Sequence, residues 1–212
     1  MAKGLFIIAI ILLHQLAGCD YIPDNSVSSV TVLPDAISQN ATIETKEDAP
    51  VTVIPGKTDN RQKVREIYQS QLGVREATGH NDGRDVAMYL RSTGIKFPAA
   101  WCSAFVRWVF DSAHVKTTIT AWSPTAENKR DIIYKNGTFA REPLPGDIFC
   151  LYFSSLGRIG HTGFYDGRLN DRVYKTIEGN TNDAGSREGD GVYIKYRSFR
   201  ATYSISNWIK NE

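Results

Sequence analysis

Phe97-Pro98-Ala99-Ala100-Trp101-Cys102-Ser103-Ala104-Phe105-Val106-Arg107-Trp108-Val109-Phe110 sets a cysteine at the point where an apolar helix begins. Pro98 is compatible with a helix only in its first turn, and the bulky Phe105, Val106, Trp108, Val109 and Phe110 fill the run that follows. The helix is therefore expected to start near Cys102. Unpaired backbone N–H groups and the positive end of the helix dipole favour a thiolate there, which suits a nucleophile.

Upstream of this stretch the chain reads as export and tether. Lys3 precedes an apolar run from Leu5 to Leu13, and Leu16-Ala17-Gly18-Cys19 follows it. The run is short for a permanent membrane span, and small residues follow it, as a signal-peptide cleavage region requires. Leu-Ala-Gly-Cys resembles the lipobox of bacterial lipoproteins. That resemblance implies removal of residues 1–18, diacylglycerol on the Cys19 sulfur and a fatty acid on its new amino group. Such a chain is a membrane-anchored lipoprotein of the bacterial cell envelope, facing the periplasm or the wall. An ordinary signal peptide with a chance cysteine at the cut is the alternative. Asp20 is the residue type that in some enteric bacteria retains lipoproteins in the inner membrane, but the sequence leaves inner and outer membrane open.

Residues 19–60 are expected to hold the lipidated cysteine and a flexible tether. From Asp20 to Asn60 there are four of the chain's eight prolines, nine Ser or Thr and one aromatic, Tyr21, too little to build a core. As a flexible coil this length has a root-mean-square span of roughly 35 Å and stretches to about 135 Å. The Ser26 to Leu33 patch alternates well enough for a short strand, but disorder is favoured because no partner strand is evident. This segment carries a net charge of −5 and residues 61–212 a net of +6. Spread over a whole domain, that excess reads as a solvated surface rather than a nucleic-acid site, and a monomer is expected.

Residues 61–212 read as one domain of class α+β. Val64, Ile67, Tyr68 and Leu72 predict a helix from Arg61 closed by Gly73, and Val86, Ala87 and Leu90 predict a second over Arg84 to Ser92, capped by Asn81 or Asp82. A short helix is expected from Thr125 to Tyr134. The period then changes: Asp147 to Phe153, His161 to Tyr165, Val173 to Glu178, Gly191 to Tyr196 and Ala201 to Trp208 read as strands.

A cysteine cleaves amides efficiently when an imidazole takes its proton and a third polar group orients the imidazole. His14 leaves with the signal peptide, His80 sits in a polar turn, and His114 lies about 18 Å along the helix from Cys102. His161 remains, at the head of a strand that a sheet can aim at the helix start. Glu178, one strand further on and followed by Gly179-Asn180, is placed to orient it. In an oxidising compartment Cys102 and Cys150 can instead form a disulfide, and a lipid-anchored binding or structural module is the rival reading.

Trp101-Cys102-Ser103-Ala104-Phe105-Val106, Pro145-Gly146-Asp147, Gly160-His161-Thr162-Gly163 and Glu178-Gly179-Asn180 together resemble the CHAP group of cysteine amidohydrolases and peptidases. That group lies within the NlpC/P60-like, papain-related class, and the resemblance covers about residues 80–196. It implies a papain-like fold, with Cys102 as nucleophile, His161 as general base and acid, and Glu178 as orienting group, with Asn180 as its substitute or helper. The implied substrate is bacterial cell-wall peptide, cut as an N-acetylmuramoyl-L-alanine amidase or as a stem- or bridge-peptide endopeptidase. Trp101, Trp122 and Tyr152 are candidate groove residues. No cofactor or metal is expected: Arg84 spoils Asn81-Asp82-Gly83-Arg84-Asp85 as a calcium loop, and Asn180 to Glu188 lacks the required oxygen ligands.

Overall fold

The computed structural model describes residues 59–184 and 189–210. The expected signal peptide, Cys19, and the tether with its candidate strand at Ser26 to Leu33 lie outside the described residues, apart from Asp59 and Asn60. Helix α1 spans Asn60–Ser70, and the Asp59 carboxylate caps it by accepting from the Arg61 N–H at 3.0 Å. Val64 and Tyr68 are buried. The helix stops short of the expected Gly73, so Leu72 falls past its last turn and is exposed. Gly73, at φ 88°, instead turns the chain toward Val192.

Helix α2 occupies the expected Arg84–Ser92 and buries Val86, Tyr89 and Leu90. Neither Asn81 nor Asp82 caps it. Gly83 holds the cap position without a side-chain bond, and Asp82 accepts from the Thr78 N–H and hydroxyl at 2.9 and 2.8 Å, closing its own loop. Helix α3, Cys102–Ser112, starts at the expected residue.

The helix expected from Thr125 to Tyr134 does not form. A 3-10 turn covers Ser123–Ala126, and a hairpin follows, of strands β1 (Ile132–Lys135) and β2 (Thr138–Phe139). Asn136 and Gly137 join the two with φ of 50° and 91°, the left-handed pair that tight hairpins favour. Strands β3 (Ile148–Phe153), β4 (Arg158–Arg168), β5 (Val173–Thr181), β6 (Gly191–Ser198) and β7 (Ser204–Ser206) complete a seven-stranded sheet. Its order is β2-β1-β7-β3-β4-β5-β6 and every pairing is antiparallel. The chain is thus α+β.

One core cluster joins the three helices to the sheet, with Tyr68, Phe105 and Phe110 packing on Phe164. A second gathers Tyr134, Phe149, Tyr165, Tyr174 and Phe199; Phe149 and Tyr165 alternate along β3 and β4 with Ile148, Cys150 and Phe164 of the first. Arg61 fastens α1 to the entry of β3, donating to the Pro145 carbonyl at 2.8 Å and the Asp147 carboxylate at 2.9 Å. Asp147 in turn accepts from the Leu144 N–H, so Pro145-Gly146-Asp147 is a closed turn that launches the strand.

Candidate active site

Cys102 is the first residue of α3, and no side chain caps that end of the helix. Its thiol is buried, 3.7 Å from the Ser123 hydroxyl. Burial opposes its ionisation, but the His161 imidazole, the Ser123 hydroxyl and the Thr162 backbone amide outweigh burial and hold the pKa below the usual thiol value.

His161 lies inside β4 rather than at its head. Leu151 pairs with His161 but Tyr152 with Ile159, so Gly160 is the extra residue of a bulge. The Phe153 ring lies where a Gly160 Cβ would project, which leaves room for glycine alone. The His161 Nε2 bonds the Glu178 Oε2 at 2.7 Å, leaving Nδ1 for the thiol. Burial lowers the imidazole pKa, but Cys102 and Glu178 together push it up to about 9.

Glu178 shares a face of β5 with Thr176 and is completely buried. Its carboxylate accepts from the Thr176 hydroxyl at 2.5 Å and from the Arg197 Nε at 2.7 Å, while a second Arg197 nitrogen reaches the oxygen that meets His161. Burial alone would raise its pKa, but Arg197 and His161 bring it down to about 2. The result is a chain Cys102, His161, Glu178, Arg197 running from α3 across β4 and β5 to β6. It supplies a polarised thiol, a proton carrier and a fixed counter-charge.

Gly179, next after Glu178, lets β5 come against the start of α3: a Cβ there would stand 2.6 Å from the Trp101 ring and 2.9 Å from Phe105. Asn180 follows in a left-handed conformation, φ 55°, where the pairing of β5 with β6 slips. It lines the cavity in front of Cys102, and the orienting bond to His161 comes from Glu178.

That cavity, about 510 Å³, is walled by Trp122, Ser123, Leu151, Phe153 and Asn180 around Cys102 and His161. Trp122 is 58% exposed and belongs to it, as expected. Trp101 does not: it is fully buried, its indole N–H donates to Glu76 at 2.8 Å, and its ring packs on Tyr89 and Phe105. Tyr152 is also outside the cavity: it lies between Leu151 and Phe153, which line it, so strand alternation sends Tyr152 to the opposite face, toward Tyr203 in a separate depression. The disulfide alternative fails too, since Cys102 and Cys150 are both free thiols. Cys150 faces the Thr162 hydroxyl, and burial pushes its thiol up to about 12.

Sequence reasoning missed Ser123 and Arg197. A buried carboxylate calls for a compensating charge, and the alternating Lys195 and Arg197 on the next strand were the available signal. Among the described residues no group of three or more His, Cys, Asp or Glu converges to hold a metal. No protein-family model, curated protein or solved structure matches the chain, so the site is read from its own geometry.

Proposed function

We propose that this protein is a peptidoglycan hydrolase that cuts an amide bond of cell-wall peptide through a thioester on Cys102, as an amidase or endopeptidase of the papain-like, CHAP kind. The observation that carries the reading is the thiol at an uncapped helix start whose pKa His161 holds down, with His161 itself oriented by a buried, ionised Glu178. The Cys102 thiolate attacks the amide carbonyl carbon, and the N–H groups at the start of α3 face the oxyanion that forms. His161 gives its Nδ1 proton to the leaving nitrogen as the C–N bond breaks, and a thioester remains. The neutral imidazole then takes a proton from water, whose oxygen attacks the thioester carbon and returns the thiolate. Glu178 holds its charge throughout and stabilises the imidazolium.

Trp122 and Ser123 border the substrate in this reading. A lipidated Cys19 and a tether of residues 19–60 would hold the domain at a membrane within reach of the wall. Dye-labelled, purified peptidoglycan tests the proposal. Wild type is expected to release soluble dye and Cys102→Ala none; equal release by both excludes Cys102 as the nucleophile.

A further inference from the structure

The charge of the cavity wall is one-sided. Arg158, Lys195 and Arg197 line it, and no Asp or Glu is among the described residues that do. Four of the site's charges cancel in two pairs: the thiolate against the imidazolium, and Arg197 against Glu178. Arg158, at the start of β4, donates to its neighbour's carbonyl, that of Ile159, and has no carboxylate partner among the described residues. Lys195, on β6, donates to the Asn182 carbonyl at 2.7 Å. Its nearest described carboxylate is Asp183, 3.8 Å away and 81% exposed, which screens it weakly. One cation thus stands on the β4 wall and another on the β6 wall, with the thiol and imidazole lining the same space.

We infer that the cavity selects an acidic peptide, one carrying a free carboxylate beside the scissile amide, and that Arg158 and Lys195 are the residues that read it. The inference rests on the hydrolase reading for the identity of the peptide but not for the binding. Arginine in this setting offers a planar fork that matches a carboxylate, and lysine a point charge. A charge-assisted bond in a partly enclosed cavity discriminates a carboxylate from its amide by about tenfold or more.

The test uses the full chain carrying Cys102→Ala, so that binding is measured apart from turnover. Two synthetic cell-wall peptides serve as probes, identical except that the γ-linked glutamate carries a free α-carboxylate in one and a carboxamide in the other. Calorimetry is expected to show the acid form binding about tenfold more tightly, with the difference shrinking as salt rises. Arg158→Gln together with Lys195→Gln removes the difference, and Arg158→Lys alone keeps part of it. In the active chain the same pair of substitutions raises KM for the acid peptide and leaves kcat within about twofold. Equal affinity for the two peptides, or a preference that survives the double substitution, overturns the inference. Tighter binding of the acid form without cleavage of either peptide by the active chain upholds it and contradicts the hydrolase reading instead.

Discussion

Arg197 decides the charge of the residue that decides the orientation of His161. With Arg197 replaced by Gln, Glu178 is a buried carboxylate left to His161 and Thr176, a loss of about 3–5 kcal/mol in folding stability that urea denaturation will register. The two thiols differ as sharply. Cys102 is expected to take up one equivalent of iodoacetamide at neutral pH without reductant, while Cys150, buried and pushed up to about 12, stays unmodified in the folded protein. His161→Ala will slow that reaction several-fold, measured by intact mass against time; equal rates would remove the imidazole from the thiol's activation. Cys102, His161 and Glu178 were legible because each sits in a short local pattern. Arg197 was not, because it belongs to no local motif and only the pairing of β5 with β6 brings it to Glu178. Trp101 misled because an aromatic beside a nucleophile reads alike whether its ring faces solvent or core.

At the level of elements, the site depends on how closely β5 approaches the start of α3. Gly179→Ala inserts a methyl group against the Trp101 ring and Phe105, overpacking that costs about 1–3 kcal/mol. Because the strain falls beside Glu178, activity is expected to drop more than the thermal midpoint suggests. Circular dichroism melts and turnover on the same sample will compare the two. Helices α2 and α3 were legible from periodicity and sit where expected. The β1-β2 hairpin was missed although Asn136-Gly137 announces it, because β2 is only two residues long and the other partner of β1, β7, lies far along the chain. The bulge at Gly160 also had no sequence signature beyond the glycine itself, since it depends on register against β3.

For the whole molecule, the buried ion chain links folding to pH. The Glu178 pKa falls from 4.5 to about 2 on folding, so its contribution is present above 4.5 and disappears as pH falls through about 2. The His161 pKa rises from 6.5 to about 9, so its contribution is complete below 6.5 and disappears as pH rises through about 9. Urea midpoints are therefore expected to peak between the two windows and decline on both sides. Turnover should follow a bell, climbing as the Cys102 thiolate forms and falling as His161 loses its proton near 9. The class α+β was legible because the chain changes period after Pro145, whereas the place of β7 between β1 and β3 was not, since short strands carry no address. In the proposed function Cys102 cuts cell-wall peptide. Mass spectrometry of purified peptidoglycan digested by wild type and by Cys102→Ala tests it most directly. Fragments with one new amine and one new carboxyl end are expected from wild type alone. Intact peptidoglycan after wild-type treatment, or the same fragments from both proteins, contradicts it.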